Sequence, residues 1–330
     1  MKKLSVVSSI LVPASLLSLI RKKYDLSDST TCRVLRTGIN HSYLISDGSA
    51  KYVLRVYSHS WRSETEILEE LRFLNLLKTN AVEVSYPLSD SSGSYIQLID
   101  APEGRRYAVL FSFADGRKLR NLSEDHCQRV GVLMARMHNT SEGHSLKRAN
   151  YSMETLAKHP YEYITEHFSE SLSEIKFLKK AGGYLAERFD RTNVSQLRYG
   201  IVHFDVWYDN FSVDKDSTIT LFDFDFCGNA WLVLDLSYFC MQLFHTEPDK
   251  NIFQIKMKKF FEGYGAYAFV SNEEKELLPL AGLAVWMFYL GVQSQRFDDW
   301  SNIFLTENYL KHYIGMIKSW LEYNDVDIEI

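Results

Sequence analysis

Three polar residues in the second half of the chain have the types and the spacing that phosphate chemistry requires. Asp205 is followed five positions later by Asn210, and Asp223 comes after a further apolar run. One carboxylate can accept the proton of a hydroxyl group, while an amide oxygen and a second carboxylate can hold the metal ion that neutralises nucleotide phosphates. We therefore assign the role of base to Asp205 and the role of metal ligands to Asn210 and Asp223.

The segments around these residues predict a loop followed by a hairpin. A short apolar run, 199–202, leads into the loop, and two β-rich runs, 211–213 and 218–224, flank the polar turn 214–217. Catalytic groups often lie on loops that a rigid sheet holds in place. The alternative is that both acids are ordinary turn or strand-edge residues and that Asn210 forms a turn.

The run from His203 to Asn210 resembles the catalytic segment of one phosphotransferase family. That family contains aminoglycoside phosphotransferases, choline and fructosamine kinases, one type of homoserine kinase and a bacterial stress-response kinase. It usually has His-Gly-Asp-Leu-x-x-x-Asn, and Phe204 stands here in place of the glycine. The segment 222–228, followed by Asp235, is similar to the family's metal-binding strand and the helix after it. The resemblance implies an α+β, protein-kinase-like fold of two lobes, a small antiparallel β-sheet N-lobe and a larger, mostly α-helical C-lobe.

Four residues near this segment take their expected roles from the resemblance. Asp225 would assist with a second metal ion or hold the loop. Asp235 would brace the catalytic loop by accepting hydrogen bonds, the alternative being a plain acid at the start of a helix. His203 would orient the loop rather than carry a proton. His138, at the end of a helical run that matches a family helix, would be structural.

Length and composition set broad limits on the class of protein. A chain of 330 residues favours two domains, and a hydrophobic content of 46% is enough for a sizeable core. The net charge of −5 argues against a nucleic-acid partner. No Cys-x-x-Cys pair occurs, so a zinc site is not expected and a reducing, cytoplasmic environment is the simpler interpretation. The four cysteines are Cys32, Cys127, Cys227 and Cys240.

The N-terminal segment has two interpretations. Met1–Lys3 followed by an apolar stretch up to Ile20 resembles a secretory signal, but Pro13 and several serines interrupt it and no small-residue cleavage site precedes Arg21. We therefore predict a helix that begins near Pro13 and ends in basic residues. No other apolar run is long enough to span a bilayer, so a membrane partner is not expected.

Runs rich in β-forming residues between 31 and 57 predict strands, with a hairpin turn at Asp47-Gly48. The loop before this hairpin corresponds to the phosphate-covering loop of a kinase-like fold, which needs exposed backbone N–H groups and little bulk. We expect Gly38, Asn40 and Ser42 to bind the nucleotide there. A single glycine by itself is more typical of a plain turn.

Arg55 is a lone cation in an apolar strand, so it lies at a sheet edge or has a buried anionic partner. The resemblance implies that Arg55 grips the nucleotide phosphates and is held by an acid on the next helix, which an apolar stripe predicts over 63–78. The family register favours Glu70 as that partner. Glu66 and Glu69 are equally well explained as a solvated acidic face.

The connection between the lobes is predicted at the end of the strand 107–113. Backbone groups of Leu110, Phe111 and Phe113 are expected to read the adenine edge, although any exit from a strand into a loop would have a similar sequence. The N-terminal lobe would then span 1–113 and the C-terminal lobe 114–330. The resemblance places ATP between them.

Aromatic and acidic residues of the C-terminal half are candidates for the acceptor pocket, although each alone is more typical of packing or of the surface. Among them Trp231 is expected at the start of a helix that spans 231–244. The candidates are Trp207, Tyr208, Trp231, Trp286, Asp298, Asp299 and Trp300.

Together these features predict an ATP- and Mg²⁺-dependent phosphotransferase that moves the γ-phosphate to a hydroxyl group of a small molecule of the amino alcohol, aminoglycoside or sugar type. GTP is an alternative nucleotide, and we expect a cytoplasmic monomer or homodimer. Two other functions remain open. One is a Ser/Thr protein kinase of the stress-response type, and the other is a non-catalytic nucleotide-binding protein.

Overall fold

The computed structural model describes residues 6–192 and 197–328. The chain divides into two compact units. The first unit runs to Asp115 and also includes Thr220–Phe222, and the second contains Gly116–Ile219 and the chain from Asp223 onward. In the first unit most of the regular structure is β-sheet, and in the second most of it is α-helix.

The first unit consists of a six-stranded antiparallel sheet and two helices. The elements are α1 (Pro13–Lys23), β1 (Thr31–Arg36), β2 (His41–Asp47), β3 (Ala50–Val56), α2 (Glu64–Thr79), β4 (Pro87–Leu88), β5 (Ile96–Ala101) and β6 (Gly104–Ser112). The strand order is β1-β2-β3-β6-β4, and β5 also pairs with β6. β6 ends one residue before Phe113, earlier than the sequence predicted.

The predicted N-terminal helix is confirmed. Pro13 is its first residue, where the missing N–H is not needed, and Arg21–Lys23 occupy its last turn. Leu16 and Ile20 are four residues apart and so share one face of α1, which packs with Tyr43 and Leu54 of the sheet. The apolar stretch near the N-terminus therefore contributes to the core of the first unit.

The predicted hairpin between β2 and β3 is confirmed, with a shift of one residue. The register pairs Asp47 with Ala50, so the two loop residues are Gly48 and Ser49. Gly48 has a φ of 59°, in the left-handed region that a glycine adopts without a Cβ clash. A two-residue loop of this hand matches the twist of the strands that it joins.

The second unit is mostly helical. Its helices are α3 (Glu124–Ser141), α4 (His159–Thr165), α5 (Ser173–Arg191), α6 (Val233–Thr246), α7 (Lys250–Gly265), α8 (Asn272–Gln295) and α9 (Glu307–Tyr323). Its strands are β7 (Tyr199–Val202), β8 (Phe211–Val213), β9 (Ile219–Leu221, whose last two residues group with the first unit) and β10 (Gly228–Trp231). β7 pairs with β10, and β8 pairs with β9. The α+β fold class is thereby confirmed.

Two predicted elements near the catalytic loop were wrong in extent. The β-rich run 218–224 forms a strand only over β9, because the chain then turns at Asp223. Trp231 does not start a helix but ends β10, where it pairs with Tyr199. The apolar residues after it continue without a break into α6, which concealed the end of the short strand.

α8 passes through the core of the second unit. By length and composition it could cross a membrane, but 78% of its most apolar window is buried inside the protein. Its first turn is fixed by a capping box, in which Ser271 and Glu274 each accept a hydrogen bond from the other's backbone N–H. A helix that is apolar on all sides and covered by neighbours is typical of a core helix.

α3 and α7 approach each other closely at two glycines. A Cβ atom on Gly131 would lie 2.1 Å from the carbonyl oxygen of Phe260, and one on Gly263 would lie 2.0 Å from that of Gln128. Both distances are far below van der Waals contact, and in each case the obstacle is backbone. The two helices therefore pack at this distance only because both positions lack a side chain.

We predict that Gly263→Ala destabilises the protein by about 2–3 kcal/mol or more, because α3 and α7 must separate to admit the methyl group. Gly265→Ala, at the end of the same helix, is the matched control, since a Cβ there meets nothing within 4 Å. Urea unfolding of both variants measures the difference. Equal stability of the two variants would contradict the close contact.

Candidate active site

The catalytic loop connects β7 to β8 and is tied together by Asn210. The Nδ2 atom of Asn210 donates hydrogen bonds to the backbone oxygen of Asp205 at 3.0 Å and to its Oδ2 atom at 2.6 Å. A turn of 3₁₀-helix over Tyr208–Asn210 closes the loop. The structure thus brings the predicted base and one predicted metal ligand into direct contact.

Asp235 holds the start of this loop. Its two carboxylate oxygens accept hydrogen bonds from the backbone N–H of His203 at 2.8 Å and of Phe204 at 2.7 Å. The Nε2 atom of His138 lies 3.1 Å from the same carboxylate. Asp235 is completely buried, and three donors around a buried carboxylate offset much of its desolvation. Asp235 therefore lies where it can brace the catalytic loop, as the resemblance implied.

Phe204 adopts a backbone conformation that costs energy. Its φ is 66°, in the left-handed region that favours the glycine found at this position in the family motif. The Tyr289 hydroxyl donates to its carbonyl oxygen at 2.7 Å, while Asp235 accepts from its N–H. Its ring is fully buried and stacks on Tyr151 at 4.1 Å between centroids. Contacts at both peptide groups and at the ring hold the strained residue in place.

His203 orients the loop from within. Its Nδ1 atom accepts the backbone N–H of Asp205 at 3.1 Å, and its buried ring packs edge-on against Phe224. A ring nitrogen that accepts a hydrogen bond from the backbone N–H two residues later in the chain fixes the position of that backbone. The geometry is compatible with the orienting role that the sequence suggested.

Two tyrosines face Asp205 in addition to the predicted residues. The hydroxyl of Tyr238 donates to the Oδ1 atom of Asp205 at 2.7 Å, and Tyr289 lies beside it with ring centroids 5.5 Å apart. Tyr238 follows Asp235 by three residues, so both lie on one face of α6, and that spacing was a usable signal. Tyr289 comes from α8 and has no local signal in the sequence.

Burial raises the pKa of Asp205 to about 7, and the negative charge of Asp223 contributes to the rise. Hydrogen bonds from Tyr238, Tyr289 and Asn210 act in the opposite direction. Burial also raises the pKa of Tyr238 well above its usual range, so that its hydroxyl remains a donor. A carboxyl group with a pKa near neutrality has the proton affinity that a general base needs.

Asp223 has a left-handed backbone, with φ 67° and ψ 63°, immediately before a 3₁₀ turn over Phe224–Phe226. Its negative charge contributes to the raised pKa of Asp205. Asp225 is buried in that turn, and its carbonyl oxygen accepts from the Nη2 atom of Arg148. Asp223 and Asp225 therefore lie in one turn of the second unit.

The oxygen donors here fit a hard divalent cation. Because Nδ2 of Asn210 is directed at Asp205, its Oδ1 atom is the one that can bind a metal ion, with Asp223 as second ligand. No group of three His, Cys, Asp or Glu side chains in the described part of the chain forms a metal site. A cation with few protein ligands and further ligands from phosphate and water is typical of Mg²⁺.

In the first unit, Arg55 and Glu70 form a buried ion pair. Nη1 of Arg55 lies 2.9 Å from Oε1 of Glu70, and the Tyr57 hydroxyl donates to Oε2 at 3.1 Å. Glu70 has no exposed surface, and the guanidinium carbon of Arg55 lies 5.2 Å from the centroid of the Phe111 ring. The structure thus pairs the two residues that the resemblance implied as partners.

The predicted phosphate loop spans 37–40 between β1 and β2. A Cβ on Gly38 would meet nothing within 4 Å, so the fold itself does not require this glycine. Oδ1 of Asn40 accepts the backbone N–H of Ser58 at 3.1 Å and so anchors the loop. Ser42 lies not in the loop but in β2, opposite Arg55.

The predicted adenine-reading segment falls partly inside the sheet. Leu110 and Phe111 are residues of β6 that pair with β3 on one side and with β4 on the other. Their backbone groups therefore belong to the sheet. Phe113 follows the strand. Of the three residues predicted to bind the adenine edge, it is therefore the one whose backbone lies outside β6.

The candidates for the acceptor pocket lie in several elements of the second unit. Trp207 and Tyr208 lie in the catalytic loop with ring centroids 4.9 Å apart. Trp231 ends β10 opposite Tyr199, at the end of that ribbon away from the loop. The carboxylate of Asp299 accepts hydrogen bonds from Arg296 and from the backbone N–H of Ser301 in a local turn. Asp298 and Trp300 are exposed.

These features define a class of protein: a kinase-like phosphotransferase with an alcohol group as acceptor. Residues 31–270 match the model of the phosphotransferase enzyme family, and the chain belongs to that family. It is 29% identical over 302 residues to an uncharacterised protein of Synechocystis sp., covering 90% of this chain and 82% of that protein. It is 27% identical over 264 residues to a homoserine kinase of Agrobacterium fabrum, covering 78% of each.

Solved structures share the fold. An amicoumacin kinase in complex with AMP-PNP, Ca²⁺ and Ami has a TM-score of 0.76 at 22% identity, covering 93% of each chain. A microcompartment-associated aminopropanol kinase also has a TM-score of 0.76, at 21% identity, covering 96% of this chain and all of the other. The kinase-like fold that the sequence predicted is confirmed by these structures.

We predict that Phe204→Gly is more stable than Phe204→Ala by about 1 kcal/mol, the reverse of the usual order inside helices. Both variants lose the same ring packing, about 3–5 kcal/mol, but only glycine relieves the left-handed backbone. Denaturant unfolding of the two variants gives the order. A more stable alanine variant would show that the turn is not left-handed.

We predict that Tyr238→Phe moves the acidic limb of the pH profile of kcat/KM to higher pH. The base must be ionised, so activity rises as pH passes the pKa of Asp205, and loss of a hydrogen bond that lowers this pKa raises it. Tyr161→Phe is the matched control, because that phenol also donates to a carboxylate, Glu170, at the surface. A limb that stays in place or moves to lower pH would contradict the assignment.

Proposed function

We propose that the protein transfers the γ-phosphate of ATP to a hydroxyl group of a small molecule, with Asp205 as the base. The observation that carries the proposal is the hydrogen bond between Asn210 and Asp205, with Asp223 close enough to influence the same carboxylate. A proton acceptor that is hydrogen-bonded to one candidate metal ligand supports this reaction. A base and metal ligands are the minimum set of groups for phosphoryl transfer to an alcohol.

Asp205 would orient the acceptor hydroxyl and take its proton as the oxygen attacks the γ-phosphorus. The two carboxylate oxygens of Asp205 are already held by Tyr238 and Asn210, so the direction of its remaining lone pairs is set before the substrate arrives. Little covalent chemistry is left to the protein in this reaction. Its contribution is positioning and neutralisation of charge.

Asn210 and Asp223 would hold Mg²⁺, with Asp225 assisting or keeping the turn in shape. Bound there, the ion would neutralise the phosphate oxygens on which charge develops. Arg55, held by Glu70, would grip the nucleotide phosphates, and an Arg fork is suited to that task. The open space next to Gly38 supports a loop that lies against the phosphates.

A row of aromatic side chains, here called the aromatic wall, is the proposed acceptor surface. On α8, Trp286 and Tyr289 lie three residues apart and so on one face, and Tyr289 packs beside Tyr238, which donates to Asp205. The ring centroids of Trp286 and Tyr313 are 5.0 Å apart, and those of Tyr313 and Tyr309 are 5.7 Å apart. At its outer end, Phe304 packs on Tyr309 at 4.8 Å and is 42% exposed.

The chemistry of the aromatic wall favours an alcohol that also carries an amine. Phenol and indole faces attract ammonium groups, and Oε1 of Gln293 is a buried acceptor without a hydrogen-bond partner in the described part of the chain. Burial lowers the pKa of His245, which stacks on Trp286, to about 4, so it adds no repelling charge. Homoserine kinases and an aminopropanol kinase, both acting on amine-bearing alcohols by name, are among the similar proteins.

We predict that Asp205→Asn and Asp223→Ala each lower phosphotransfer about a thousandfold, or about 4 kcal/mol. The first removes the proton acceptor and the second a metal ligand. Asp216→Asn, an exposed acid in the turn of the adjacent hairpin, is the control and should retain activity. Near wild-type turnover by a folded Asp205→Asn protein would refute the base assignment.

The acceptor is found by measuring ATP consumption by the purified protein with Mg²⁺ against amino alcohols, aminoglycosides and sugars. Each positive amino alcohol is then compared with an isosteric alcohol that lacks the amine, and kcat/KM is expected to fall at least tenfold. Equal use of both would contradict the proposed amine contact. Phosphorylation of added proteins in place of any small molecule would favour a protein kinase.

A further inference from the structure

A continuous chain of hydrogen bonds runs from the start of α8 to the catalytic loop. Nε of Arg198 lies 2.9 Å and 3.1 Å from the two carboxylate oxygens of Glu274, and its Nη1 donates to the hydroxyl of Tyr264 at 2.9 Å. That hydroxyl lies 2.7 Å from Nδ1 of His138, whose Nε2 lies 3.1 Å from Asp235. Asp235 holds the loop N–H groups.

The chemistry of the groups fixes the direction of every bond. Arginine can only donate, so the oxygen of Tyr264 accepts from Arg198, and a carboxylate can only accept, so Nε2 of His138 donates to Asp235. In a neutral imidazole Nδ1 is then the acceptor, and the Tyr264 hydroxyl donates to it. Burial raises the pKa of Tyr264 to about 12, which keeps that proton on the phenol. Each hydrogen bond from Arg198 to Asp235 is therefore donated in the same direction along the chain.

The members of this chain come from distant parts of the sequence and are nearly all buried. His138, Tyr264, Asp235 and Glu274 are each exposed by 2% or less. They belong to α3, α7, α6 and α8, while Arg198 immediately precedes β7. In an interior of low polarity, successive hydrogen bonds strengthen one another and an unpaired member is costly. Such a chain is a means of fixing the position of its last acceptor.

We propose that Arg198 and Tyr264 are positioning residues, which set the catalytic loop through His138 and Asp235. The proposal rests on the proposed phosphotransfer, because the loop that it positions carries Asp205. The chain touches no reacting atom. Its loss should therefore lower kcat through misplacement of the base, while the KM values for nucleotide and acceptor stay nearly constant.

The first test is Tyr264→Phe, which removes one hydroxyl and keeps the ring. We expect kcat to fall about tenfold with both KM values within about twofold of the wild type. We also expect faster hydrogen exchange in the peptide that contains the amides of His203 and Phe204. Tyr43→Phe is the matched control, because it deletes a buried phenol hydroxyl bonded to Leu11 in the first unit. It should cost stability without changing kcat or exchange in the loop.

The second test is a double-mutant cycle. If Arg198 acts on the loop only through the hydroxyl of Tyr264, then Arg198→Gln lowers kcat in the wild type but not in a Tyr264→Phe background. Arg198→Gln alone, which keeps the buried tyrosine and histidine, tests the chain if Tyr264→Phe does not fold. Additive effects on kcat would overturn the proposal. So would a Tyr264→Phe variant that behaves like Tyr43→Phe in turnover and in loop exchange.

Hydrogen exchange separates this proposal from the proposed function. If no acceptor is phosphorylated but Tyr264→Phe and Arg198→Gln both loosen the loop, the chain positions the loop and the assigned reaction is wrong. If phosphotransfer is found and neither variant changes kcat or loop exchange, the reaction stands and the positioning role is wrong. Each outcome decides one proposal independently of the other.

Discussion

The carboxylate of Asp235 is the group on which the catalytic loop depends. It is fully buried and accepts the backbone N–H groups of His203 and Phe204. A carboxylate in this environment is stable only when donors surround it, and those donors are two successive peptide units of the loop. Satisfying one buried charge thus fixes the backbone that carries Asp205. Tyr289 also holds Phe204, because its hydroxyl donates to the carbonyl oxygen of that residue. The left-handed backbone of Phe204 would otherwise relax.

The first unit also contains a buried carboxylate that is held by its hydrogen-bond partners. Arg55 and Glu70 are both taken out of water, and the second oxygen of Glu70 accepts from Tyr57. Buried ion pairs of this kind add little net stability, since desolvation cancels most of the attraction. They fix the orientation of the charged groups instead, because a charged group with all its partners in place cannot reorient. Phosphoryl transfer requires preorganised charge, and each unit contains a buried charged group held by its partners.

The sequence predicted the parts of the site that local spacing controls. Asp205 and Asn210 are joined by a short loop, whereas Glu70 was chosen by the family register among the acids of an amphipathic helix. Leu16 and Ile20 followed from the same periodicity. Tyr289 and Tyr264 had no such signal. Tyr289 contacts the loop and Tyr264 contacts His138 from helices that are distant in the sequence, and each looks like any other core tyrosine. Trp231 was misplaced because four residues of strand continue into an apolar helix.

The close contact between α3 and α7 has a consequence for the length of α3. Gly131, where the backbones touch, and His138 are seven residues apart, which is two helical turns and returns to the same face. Gly263 immediately precedes Tyr264 on the opposing helix. One inserted or deleted residue between Gly131 and His138 would rotate the imidazole by about 100° away from Tyr264 while leaving every side chain chemically intact. The number of residues between the two positions thus determines this contact as much as their identity does.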